Sequence, residues 1–174
     1  MHNKYLYLLV LSNVLIVLDQ ASKYMVASHI PLYYSIEVID GFLNLTHIRN
    51  AGVAFGLFAD QPSEYKSLVF VAVSTVASVA VLFIFHQSPA WRRWVNTGLI
   101  LIFSGAIGNM IDRIVHKEVI DFVDVYVGSF HWPAFNLADS CITIGVVIMI
   151  LDLFFHPHGG ARPPAGPPVE PASS

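Results

Sequence analysis

The sequence predicts an α-helical membrane protein: four transmembrane helices carrying a small extracytoplasmic β-sheet or hairpin region. Three observations lead there. Hydrophobic residues make up 55% of the 174 and charged residues 12%, about half the charged share of an ordinary soluble domain. Four stretches are apolar over a length that approaches or reaches the ~20 residues a bilayer requires. Two further segments alternate β-branched, aromatic and polar residues around turn dipeptides, which is hairpin chemistry.

The first span is expected from Tyr5 to about Val26 and the second from Ser67 to Phe85, the latter within a run free of Asp, Glu, Lys and Arg between Lys66 and Arg92. A cleaved leader is the competing reading of the start, but "DQASKYM" offers no small-x-small cleavage site. The third span is expected from Val95 to about Ile114 and the fourth from Leu137 to Phe155. Residues 1–156 then form one domain, and 157–174, with six of the ten prolines, form a disordered tail. An even number of spans puts both termini on one side, and "WRRW" in a very short loop favours the cytoplasm for it.

Two outer loops are too long to be mere connectors. Loop 29–66 contains "IEVIDGFLNLTHIRN", a hairpin signal centred on Asp40-Gly41, followed by "NAGVAFGLF", whose Gly52 and Gly56 permit close backbone approach or unusual dihedrals. Loop 116–136 contains "FVDVYV-GS-FHWPAF", a second hairpin around Gly128-Ser129. Pairing Val127 with Phe130 and counting back sets Asp121 opposite Asn136, and Asp139 lies about one helical turn further on. Pro133 is tolerable there on an edge strand.

Polar residues near or inside spans are expensive, so each is a functional candidate. Asp19 and Lys23 share a helix face and can pair; an interfacial ion pair that fixes helix depth is the bland alternative. Gly105, Gly108, Asn109, Asp112 and Arg113 form one stripe of the third span, facing protein. Asn136 reads as the N-cap of the fourth span, with Asp139 as the acid of a capping box, a role compatible with chemistry. Two adjacent carboxylates cannot both ionise easily, so one proton is shared. One then activates water while the other protonates the leaving group.

Five motifs add a resemblance. "DQASK" (Asp19 to Lys23), "NAGVAF" (Asn50 to Phe55), "GNMIDR" (Gly108 to Arg113), "VIDF" (Val119 to Phe122) and "FNLADS" (Phe135 to Ser140) follow one another as they do in lipoprotein signal peptidases. From Asp19 to Ser140 the chain resembles that family, signal peptidase II. The resemblance implies an aspartyl endopeptidase of the bacterial inner membrane, with both termini cytoplasmic and its site near the periplasmic surface. It would cut diacylglyceryl-modified prolipoproteins just before the lipidated cysteine. Asp121 and Asp139 would be catalytic. Asp19, Lys23, Asn50, Gly52, Asn109, Asp112, Arg113 and Asn136 would support or bind substrate, with Asp124 also supportive. Membrane lipid would take part, globomycin-like cyclic peptides would inhibit, and no cofactor, metal or nucleic acid is implied.

Competing readings remain open from the residues alone. A transporter or proton channel would relay ions through Asp19, Asp112, Asp121 and Asp139, although these sit near span ends. A metal enzyme would use Asp112 and His116 with His47 or His131, without an H-E-x-x-H motif. A serine intramembrane protease lacks its G-x-S-G at Ser104, and a noncatalytic assembly factor would need only the loops. One cysteine, Cys141, rules out an internal disulfide.

Overall fold

In the computed structural model, residues 3–52 and 62–155 are described. Gly56 and the tail 157–174 lie outside them. Four helices are long and apolar enough to cross a membrane. They are α1 (Lys4–His29), α2 (Ser63–Gln87), α3 (Arg93–His116) and α4 (Leu137–Phe155). Their ends follow local chemistry. The Asn3 side chain accepts the Tyr5 and Leu6 amides to start α1, and Ile30, extended before Pro31, stops it. Lys117 takes a left-handed φ of 67° and ends α3. The first three spans run a few residues beyond the apolar cores read from sequence because polar ends continue the helix past the greasy stretch, and the fourth keeps the bounds expected of it.

The interior is inverted relative to a soluble protein. Among the described residues, buried polar side chains outnumber buried apolar ones, while Leu9, Val17, Val76, Phe83 and Leu153 stand exposed. Lipid is the solvent that makes this distribution stable. Helix α3 is central and packs against the other three. Contact with α4 is close enough that a Cβ on Gly105 would strike the Ala138 carbonyl oxygen, and one on Gly145 would lie 2.6 Å from the Gly98 carbonyl oxygen. Such small residues are how membrane helices approach without a hydrophobic driving force.

Both long loops contribute to one antiparallel sheet, in the order β1 (Ser35–Ile39), β2 (Leu43–Asn50), β3 (Val119–Val127), β4 (Phe130–His131). Asp40 and Gly41 occupy the centre of the first turn, closed by the Phe42 amide on the Ile39 carbonyl at 3.0 Å, with Gly41 at φ +68°. Strand β2 pairs with β3 across the intervening α2 and α3, setting Ile48 opposite Asp121 and Asn50 opposite Val119.

The second hairpin corrects one expectation. Val127 does pair with Phe130 and Tyr126 with His131. The ladder then breaks and resumes one residue out of step, at Val123 with Phe135. Pro133 has no N–H to donate and interrupts the pairing. Asn136 therefore does not face Asp121 by strand register, and reaches it with its side chain instead.

Candidate active site

The sheet lies where α1 and α3 end and α2 and α4 begin, and the polar residues gather at that junction. Strand β3 delivers Asp121, 2% exposed. Its Oδ1 accepts the Asn136 Nδ2 at 2.7 Å and its Oδ2 accepts the Asn50 Nδ2 at 2.9 Å. Burial raises the Asp121 carboxyl from its ordinary 3.8 to about 6; the Asn50 and Asn136 donors oppose the rise, and the Asp139 charge adds to it.

Asp139 comes from the first turn of α4, in the capping box expected of it. The Asp139 amide donates to Asn136 Oδ1 at 2.9 Å, and the Asn136 amide returns a bond to Asp139 Oδ2 at 3.2 Å. The other oxygen, Oδ1, accepts Asn109 Nδ2 from α3 at 2.7 Å. Asn136 thus caps a helix with its carbonyl while its amide holds Asp121, and so joins the two carboxylates through one side chain. Asn109 makes a second link, accepting from Asn136 Nδ2 at 3.2 Å while donating to Asp139.

Beneath this pair lies a buried ionic cluster. Lys23 Nζ, a group with three donors, meets Asp19 Oδ2 at 2.8 Å, Asp112 Oδ2 at 3.0 Å and Asn109 Oδ1 at 3.0 Å. The Asp19–Lys23 pair is therefore interior, with side-chain exposures of 3% and 2%, rather than an interfacial depth marker. Asp19 Oδ1 accepts the Ala138 amide at 2.9 Å, so α1 helps cap α4. Asp112 accepts the Ile120 amide at 3.1 Å and thereby fixes β3 one residue before Asp121.

Arg113 forms no ion pair among the described residues. It donates to the Asn109 carbonyl at 3.2 Å and lies 4.9 Å from the Phe70 ring centroid. Gly52, at φ +79°, lies so close to that same ring that a Cβ would overlap it, and its amide donates to Asn50 Oδ1 at 2.8 Å. Gln20 is the residue that sequence reasoning missed: it donates to Asp112 Oδ1 at 2.9 Å and to the Gly108 carbonyl at 3.1 Å. Its position inside "DQASK", one residue from Asp19, was the available signal.

Other candidate groups stand apart. Asp124 accepts from His131 Nδ1 at 2.9 Å and from Asn44 at 2.9 Å. Burial raises the Asp124 carboxyl, and these donors outweigh it, leaving it below its ordinary range. His47 Nδ1 bonds the Ile30 carbonyl at 2.9 Å. With Asp112 engaged by Lys23 and Gln20, the alternative ligand set of Asp112, His116, His47 and His131 does not converge.

Chemically, four carboxylates and two cations share this junction, and the two carboxylates joined by Asn136 have different surroundings. Asp139 sits at a helix N-terminus, which favours negative charge. Asp121 lies in a strand whose burial favours the neutral acid.

A family model described as signal peptidase (SPase) II matches residues 11–155. The lipoprotein signal peptidase of Desulforapulum autotrophicum is 46% identical over 149 residues, 86% of this chain and 92% of the relative. That of Syntrophus aciditrophicus is 44% identical, covering 83% and 90%. Among solved structures, a bacterial membrane enzyme determined by the in meso method at 2.3 Å superposes with a TM-score of 0.78 at 30% identity, covering 91% of this chain and 94% of that one. A second, at 1.9 Å, gives 0.77 at 32% identity, with 86% and 94% covered.

Proposed function

Because the chain belongs to the signal peptidase II family, we propose that it is an aspartyl endopeptidase that cleaves diacylglyceryl-modified prolipoproteins just before the lipidated cysteine. Asp121 and Asp139 form the catalytic pair in this reading. The observation that carries it is the double engagement of Asn136, whose amide bonds Asp121 while its cap holds Asp139.

Asp139 is the base. Its charge is favoured by the start of α4 and by the Asn109 donor, so it takes a proton from a water lying between the two acids. Asp121 is the acid, because burial and the neighbouring anion keep the shared proton on it. The activated water adds to the scissile carbonyl as Asp121 protonates its oxygen. The resulting gem-diol collapses by breaking the C–N bond: the amine leaves with the proton that Asp139 received, and one hydroxyl returns its proton to Asp121, leaving a carboxylic acid product and restoring the single-proton pair. The Lys23 cluster holds Asn109 and β3 in place and stays out of proton transfer. Arg113 and Gly52 flank the substrate path.

The scissile bond is set by depth. A diacylglyceryl group dissolved in the bilayer adds ~0.8 kcal/mol per buried CH₂ and fixes the height of the cysteine. The site lies at the sheet end of the helices, which suits a periplasmic boundary in a bacterial inner membrane with both termini cytoplasmic. Globomycin-like cyclic peptides would compete for the same place.

The test uses purified full-length protein with a lipidated precursor peptide and mass analysis of the products. Asp121→Asn and Asp139→Asn each abolish cleavage while leaving the melting temperature near that of the parent. Near-normal turnover by either variant removes that residue from the pair. The unlipidated peptide loses turnover even at saturation; equal turnover overturns the anchoring role of the lipid.

A further inference from the structure

At the end of the bundle away from the sheet lies a cavity of about 260 Å³, lined by Lys4, Tyr7, Ala90, Arg93, Asn96 and Thr97. It sits between the first turns of α1 and α3. Asn96 is 2% exposed. Its Nδ2 donates to the Pro89 carbonyl at 3.0 Å, whereas its Oδ1 is buried without any hydrogen-bond partner. Buried polar atoms in folded proteins are nearly always satisfied, so this oxygen marks a place for an outside donor. One water occupies about 30 Å³ in the liquid, and the space is several times that.

The charges around it are positive. Helix α3 starts here without a side-chain cap, and although the Arg93 amide bonds the Trp91 carbonyl at 2.9 Å, the positive end of the helix dipole faces the space. Arg93 is exposed and forms no ion pair among the described residues. Lys4 contributes field rather than donors, because its three protons face the carbonyls of Phe85, His86 and Ser88 at 2.9, 2.9 and 2.7 Å. The nearby acid, Asp152, is held by Arg92. Trp91 and Trp94, both exposed, sit beside it as interfacial residues do.

We propose that this cavity binds the headgroup of an anionic phospholipid. The phosphodiester faces Arg93 and the uncapped start of α3, and a headgroup hydroxyl donates to Asn96 Oδ1. Basic pockets between spans are a recognised setting for such headgroups. The unpaired amide oxygen adds what charge alone does not supply, namely selection for a lipid with a hydroxyl on its headgroup.

The test is native mass spectrometry of the delipidated full-length protein titrated with lipids of identical acyl chains: phosphatidylglycerol, phosphatidylmethanol and phosphatidylcholine. Glycerol phosphate serves as the soluble control. Phosphatidylglycerol should bind about fivefold tighter than phosphatidylmethanol, the worth of one net hydrogen bond, and Asn96→Ala should erase that difference. Arg93→Gln, a change on an exposed side chain, should weaken both anionic lipids by about fivefold. Equal affinity for phosphatidylglycerol and phosphatidylmethanol in the parent protein overturns the proposal without recourse to any variant. So does a preference that survives Asn96→Ala in folded protein, or phosphatidylcholine binding as tightly as phosphatidylglycerol. Glycerol phosphate binding as well as the lipid would assign the cavity to a soluble anion instead.

Discussion

Asn50→Ala removes one of the two side-chain donors that favour the ionised form of Asp121 against its burial, and its effect can be worked out. The Nδ2–Oδ2 bond is 2.9 Å. A hydrogen bond to a charged group is worth ~1.5–3 kcal/mol, and ~1.4 kcal/mol corresponds to one pKa unit. Asn50 is exposed, so water replaces part of what is lost and the lower end applies: the Asp121 pKa should rise from about 6 to about 7. The direction follows from which form the donor favours. If the single-proton pair is the active form, activity declines as Asp121 deprotonates, and the alkaline limb of kcat/KM should move up by about one pH unit in the variant. Asn50→Asp, which keeps an acceptor for the Gly52 amide and adds a charge, should move it further. Stability follows the same sign. The folded pKa lies above the ordinary 3.8, so the native state is favoured at low pH and loses stability as pH rises through about 6. In Asn50→Ala that loss continues to about 7. The assay is cleavage of a lipidated peptide in detergent micelles from pH 4.5 to 9. A limb that stays in place, or moves to lower pH, refutes the assignment of Asp121 as the acid.

Three further outcomes are expected. Lys23→Met leaves Asp19 and Asp112 buried and uncompensated, which should cost ~3–5 kcal/mol in thermal or denaturant unfolding; an unchanged midpoint would contradict the interior placement of the cluster. Gly105→Ala drives a methyl group into the Ala138 carbonyl, next to Asp139, and should lower stability by ~1–3 kcal/mol together with turnover. Unaltered melting would mean that α3 and α4 separate readily. Treatment with EDTA should leave cleavage intact, and loss of activity restored by one divalent ion would revive the metal reading.

The helices and both hairpins were legible because apolar length and turn dipeptides are local signals. Stripes were legible too: the α3 face bearing Gly105, Gly108, Asn109 and Asp112 does turn inward, as its spacing required. What spacing could not supply was the partner across the gap. Asp19 and Lys23 were evidently a pair, yet only the packing of α1 on α3 shows Asp112 as a third member and Gln20 as a fourth. The Asp121–Asn136 association was anticipated through a strand register that Pro133 breaks; the two residues meet through side chains, which no counting rule describes. Arg113 read as one member of the α3 stripe; that its guanidinium lies over the Phe70 ring of α2 depends on packing that spacing along one helix does not report.

The bond from the Ala138 amide to Asp19 connects the first span to the last, and this bears on the protein's synthesis. A chain made from its N-terminus completes α1, the first hairpin, α2 and α3 before α4 exists. At that stage Lys23 can already gather Asp19, Asp112 and Asn109, so the scaffold is waiting. Asn136 and Asp139 arrive only with the final span, and their docking satisfies Asp19, Asp121 and Asn109 in one step. On the proposed mechanism the nascent enzyme is inert until α4 docks, because Asp139 and the Asn136 link to Asp121 are missing before then.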